Sequence, residues 1–109
     1  LPKPTEITLK TLTGKAVTPY LSELAALRIE VFRDWPYIYN GNPAYEEKYL
    51  QTYVEAERSA VVVAFAGDQV IGAATCLPLT AEPAHVQLPF MANGLDPREY
   101  FYFGESVLR

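Results

Sequence analysis

The stretch from Ala60 to Leu77 limits the possible folds of this chain more than any other part of it. Ala60 to Ala66 is an almost unbroken apolar run, Gly67-Asp68-Gln69 interrupts it, and Val70 to Leu77 is largely apolar again. Two such runs around a short glycine-containing break predict a tight antiparallel hairpin, because glycine takes the backbone conformations of such turns without a Cβ clash. A chain with this hairpin at its centre must build a sheet and cover at least one face of it.

The flanking sequence predicts what does the covering. Ile7 to Leu12 alternates apolar and polar residues and reads as a first, half-buried strand, broken by Thr13-Gly14-Lys15. Thr18-Pro19 is a cap-then-proline signal for a helix carrying Leu21, Leu24, Leu27 and Val31 at helical spacing and ending by Trp35-Pro36. Asn42-Pro43 repeats the device for a second helix running to about Arg58, with Tyr49, Leu50, Tyr53 and Val54 on its apolar face. The Tyr45, Tyr49, Tyr53 stripe has the spacing of core packing. From Pro78 to Pro97, four prolines and Gly94 predict a long loop or short helix of the kind that lines a site. Tyr100 to Leu108 then reads as a strand covered on both faces.

The expected fold class is therefore α/β in the broad sense (α+β), a mixed, mostly antiparallel sheet with two helices in the order β-α-α-β-β-loop-β. With 109 residues, half of them hydrophobic and a fifth charged, the chain is read as a single domain. The last strand would leave an apolar edge unpaired, and the first residue is Leu1 rather than Met, so residues 1–109 are expected to be an incomplete domain. That edge also predicts a homo-oligomer through the terminal strand.

Composition excludes several function classes. No run is long enough to span a bilayer, and Leu1 to Lys10 lacks the apolar centre of a signal peptide, which predicts no membrane partner and a cytoplasmic location. The single Cys76 fits a reducing compartment. A formal net charge of -4 with scattered Lys and Arg predicts no nucleic-acid partner. One Cys and one His predict no metal site.

Taken together, the strand, the two helices joined by an aromatic turn, the hairpin Gly67-Asp68-Gln69-Val70-Ile71-Gly72 followed by Ala73 and Ala74, and a strand ending Gly104-Glu105-Ser106-Val107-Leu108-Arg109 resemble the opening half of the GNAT superfamily of N-acetyltransferases. The resemblance covers the whole chain. It implies an acetyl-CoA-dependent transfer of an acetyl group to an amine of a small molecule or protein, with acetyl-CoA as co-substrate. It further implies that the fourth strand supplies backbone groups, often at a bulge, to the pantetheine arm and thioester oxygen. Here those are Ser106, Val107, Leu108 and Arg109, after Gly104. The family's Arg/Gln-x-x-Gly-x-Gly/Ala pyrophosphate loop and a following Tyr proton donor would lie past Arg109, so the fragment alone is expected to be inactive.

Such a transfer needs a deprotonated amine, donors for a developing oxyanion and a proton for the thiolate. Glu105, a carboxylate in an otherwise apolar strand, is the candidate general base, since desolvation raises a carboxyl pKa. Its competing reading is a salt bridge to Arg28, Arg33 or Arg109. Arg33, Tyr37 and Tyr39, with Arg28 and Trp35, lie where the resemblance places the acceptor-substrate wall, and aromatic rings there can stack on a cation. Their ordinary reading is amphipathic packing at a helix end. His85 and Cys76 are weaker candidates, because nothing in the sequence fixes either near Glu105. A different class of function remains in view: a non-catalytic binding or self-associating module using the Pro/Tyr-rich loop and the terminal strand. A degenerate sensor that binds a CoA compound without reacting is a third.

Overall fold

The hairpin is where the sequence places it. A computed structural model describes residues 6–109, and in it β2 (Ala60–Ala66) and β3 (Gln69–Pro78) pair antiparallel, with Ala66 opposite Gln69. Gly67 takes φ 61°, the positive value that the first position of a two-residue hairpin loop demands. β1 (Ile7–Leu12) pairs with β2, and β4 (Phe101–Leu108) with β3, giving a four-stranded sheet in the order β1-β2-β3-β4. Every pairing is antiparallel, so the expected mixed sheet is corrected. Each strand lies beside its neighbour in sequence, and no parallel crossover is needed.

Alternation sorts the sheet residues between two faces. Val61, Val63, Phe65, Leu77 and Val107 are buried on one face beneath α1 (Leu21–Arg33) and α2 (Pro43–Glu55), whose Leu24, Leu27, Leu50 and Tyr53 complete the core. Burying one such aliphatic side chain contributes roughly 1.5–3 kcal/mol, so this layer carries the stability of the fold. The opposite face holds Leu9, Val62, Ala64, Ala74, Ser106 and Leu108 by the pairing register, and no described helix packs on it. Residue for residue, that face has no charge.

Three local expectations change. Thr18-Pro19 does not start α1. Residues Gly14–Tyr20 form a 3-10 turn with Pro19 inside it, and the α-helix begins one residue later without a side-chain cap. Asn42 does cap α2, its side-chain oxygen accepting from the Tyr45 N–H at 3.1 Å. That helix ends at Glu55, short of Arg58, whose φ of 62° is incompatible with continuing it.

The long loop contains a third helix, α3 (Ala84–Ala92), flanked by 3-10 turns at Leu79–Ala81 and Pro97–Glu99. This segment packs mainly on itself, with Phe90 and Tyr100 rings 5.4 Å apart. The radius of gyration is 15.5 Å, where a compact chain of this length has about 13 Å. β4 is also not covered on both faces. Only Val107 is buried, and Phe103 is 78% exposed.

Candidate functional site

β4 carries the feature that shapes the site. Ala74 lies opposite Ser106 and Cys76 opposite Phe103, so Gly104 and Glu105 together face the single residue Thr75. This is a β-bulge, which bends the strand and takes backbone groups out of the ladder. The Glu105 N–H accordingly turns to the Thr75 hydroxyl at 3.3 Å. Glycine at 104 is a packing requirement: a Cβ there would stand 2.6 Å from both the Thr75 and Tyr53 hydroxyl oxygens.

The bulge aims Glu105 at the helices, where it meets Arg28. Arg28 bridges two carboxylates, pairing with Glu105 and, through Nε at 2.5 Å, with Glu46 Oε2. Tyr39 donates to the other Glu46 oxygen at 2.8 Å, and Tyr49 donates to Glu105 Oε2 at 3.3 Å. The guanidinium also lies over the Phe32 and Tyr49 rings, 5.3 and 4.5 Å from their centroids. Glu46 is only 1% exposed, which a carboxylate tolerates because both its oxygens are hydrogen-bonded and one partner is charged. Removal from water, then hydrogen bonding with Tyr53, pushes the Tyr49 phenol well above its usual range. The hydrogen bond to Glu46 raises that of Tyr39, since ionising it would set two negative charges together.

Above this cluster is a cavity of about 510 Å³ lined by Arg28, Phe32, Tyr37, Tyr39, Tyr45, Glu46 and Tyr49. The turn between α1 and α2 supplies Tyr37 and Tyr39. It is closed by the Tyr39 N–H donating to the Phe32 carbonyl at 2.7 Å, and it holds Ile38 at φ 49°. A β-branched residue in the left-handed region costs on the order of 1–2 kcal/mol, and beside it the Tyr37 ring packs edge-on against Phe32, centroids 5.0 Å apart. On the far side of Tyr49, a second cavity of about 360 Å³ is lined by Tyr49, Thr52, Tyr53 and Glu82, among others. Burial raises the pKa of Glu82.

The residues singled out in the sequence fare differently. Tyr37 and Tyr39 line the first cavity, and Glu105 joins it through Arg28 and Tyr49. Of its three possible ion-pair partners, Glu105 has Arg28, so its surroundings are not the apolar ones expected. Arg33 is exposed on the last turn of α1 and is not part of this cavity wall. Arg109 is turned away, bonded to Glu30 Oε2 at 2.7 Å and to the Val70 carbonyl at 3.0 Å. Ser106 and Leu108 are exposed on the uncovered face and Val107 is in the core. His85 is exposed at the start of α3 and Cys76 is a half-buried free thiol. Among the described residues no group of His, Cys, Asp and Glu is placed to hold a metal, and no helix is long and apolar enough to cross a membrane.

Sequence reasoning missed Glu46 and Glu82. Glu46 lies three residues before Tyr49 and seven after Tyr39, but a glutamate in a helix's first turn reads as a dipole partner, and only the folded chain brings Arg28 against it. Compared with known proteins, the chain matches no family model, no curated protein and no solved structure.

Proposed function

We propose that this chain is the substrate-side part of an N-acetyltransferase that moves an acetyl group from acetyl-CoA to an amine of a small molecule or protein. The observation that carries the reading is the bulge at Gly104–Glu105, which turns a carboxylate toward an aromatic cavity on the same side of the sheet. In this reading Glu105 accepts the proton of the arriving ammonium group, directly or through water. The amine nitrogen then attacks the thioester carbonyl, the C–N bond forms as the C–S bond breaks, and the proton that the nitrogen sheds passes to the leaving thiolate. The free edge of β4 suits the other reactant. The outward backbone N–H and C=O groups of Ser106 and Leu108, which the pairing with β3 leaves free, are the kind that an amide-bearing pantetheine arm pairs with. Tyr37 and Tyr39 belong to the acceptor side.

The test begins with the coding sequence past Arg109. An Arg or Gln followed by x-x-Gly-x-Gly/Ala and a helix supports the reading, because glycines before a helix N-terminus let backbone N–H groups reach a pyrophosphate. The protein encoded by the whole frame should then release CoA from acetyl-CoA when amines are added. A frame without those glycines, or no CoA release across an amine panel, sinks it.

A second reading is favoured by the bare sheet face. Leu9 and Leu108 are 69% and 70% exposed on it, and Phe103 stands at its edge. A face of this kind suits a binding or self-associating module.

A further inference from the structure

We infer that the cavity between α1 and α2 takes an organic ammonium group, so that the acceptor carries a fixed positive charge held apart from the nitrogen to be acylated. Its role in catalysis rests on the acetyltransferase reading; the binding itself does not.

The charge balance of the cavity floor comes first. Glu46 and Glu105 share one guanidinium, so the buried cluster has a formal charge of -1. Its remaining polar partners, Tyr39 and Tyr49, are neutral hydroxyls already donating to those carboxylates. No second cation among the described residues balances the cluster. In a partly desolvated site this excess is felt strongly, because water screens it poorly. An anion is repelled and a cation attracted.

The walls select the kind of cation. The chain itself lays Arg28 over two of the five rings, Phe32 and Tyr49. Among the described residues no cationic side chain lies over Tyr37, Tyr39 or Tyr45, which line the open part of the cavity. Tyr37 and Tyr45 are 66% and 63% exposed, Tyr37 touching Phe32 edge-on, so both stay largely open to a ligand. Tyr39 donates its proton to a carboxylate, which makes its ring more electron-rich and its face a better partner for positive charge. Rings with one buried carboxylate suit a weakly hydrated alkylammonium. A small metal ion would demand several oxygen ligands, and the open wall does not offer them.

Choline and its neutral isostere 3,3-dimethylbutan-1-ol are the probes, titrated against the chain while the tyrosine ring resonances are followed by NMR. Choline should bind about tenfold more tightly than the alcohol. Tyr45→Leu should remove most of that preference, and Tyr45→Phe, which keeps the ring, should retain it. Glu46→Gln should lower choline affinity with little effect on the alcohol. Because Glu46 is buried, the exposed Tyr45 pair decides the matter if Glu46→Gln fails to fold. Equal affinity for the two probes, no saturable shift with choline, or a preference unchanged in Tyr45→Leu overturns the inference. Choline has no amine to acylate, so its binding is read without transfer. A chain that prefers choline while its full reading frame shows no acetyl transfer overturns the enzyme reading alone.

Discussion

At the scale of single residues, Arg28 is the least replaceable side chain outside the aliphatic core. Arg28→Ala would leave Glu46 and Glu105 facing each other across a low-dielectric space, a loss of roughly 3–5 kcal/mol for a broken buried pair. The expected outcome is a urea midpoint lowered to match, or no folded protein. Gly104→Ala forces a Cβ onto the Thr75 and Tyr53 oxygens at 2.6 Å, and either β4 or α2 must shift. An overpacked site of this type loses about 1–3 kcal/mol, and Tyr53→Phe in the same chain should restore part of it by removing one of the two oxygens. Tyr49 predicts a pH dependence. Its folded pKa is raised above the ordinary value near 10, chiefly by burial, so the folded state holds that proton more tightly than the unfolded state. The contribution is complete below about pH 10 and is lost as pH climbs above it. Thermal midpoints should fall more steeply above pH 10 in the native chain than in Tyr49→Phe.

At the scale of elements, what could be read in advance is what neighbours in sequence decide. The β2–β3 hairpin follows from two apolar runs and Gly67, and the start of α2 from Asn42 and Pro43, because a turn and a cap are local geometry. Asn42→Ala should therefore destabilise the fold by about 1 kcal/mol, visible in the urea midpoint. The same logic misplaced α1. Thr18-Pro19 satisfies the rule for a helix start, but the tertiary position of Val17, fully buried, draws Gly14–Tyr20 into a 3-10 turn and delays the α-helix. The bulge on β4 was expected only from a resemblance. Nothing in Phe101–Leu108 marks it except Gly104, and its cause is the meeting of Thr75 and Tyr53 with that glycine. α3 was half legible: the segment was read as a long loop or short helix, and Ala84–Ala92 coils directly after Pro83 with Pro89 inside it, at the cost of one backbone hydrogen bond.

At the scale of the whole molecule, the sheet divides the chain into a covered side and an uncovered one. The helical side buries a continuous core; the other presents an uncharged apolar face from Leu9 to Leu108. That asymmetry predicts concentration-dependent association of the 109-residue chain, seen as a rising weight-average mass in sedimentation equilibrium. Phe103→Lys, placed at the exposed edge, should reduce it without lowering the thermal midpoint. A mass that stays monomeric at high concentration would remove support from the self-association reading. The sequence by itself determined the hairpin, the existence of two covering helices, the α+β class and the absence of any strongly basic or membrane-spanning segment, because each depends on periodicity, turn chemistry or composition. Only the tertiary structure decided that Arg28 of α1, Glu46 and Tyr49 of α2 and Glu105 of β4 converge. Those residues lie up to 77 positions apart along the chain (Arg28 to Glu105), and no local pattern records which charge meets which. Pairing is settled by the register of β4 on β3 and by how the helices lie across the sheet, and the cavity exists because those two agree.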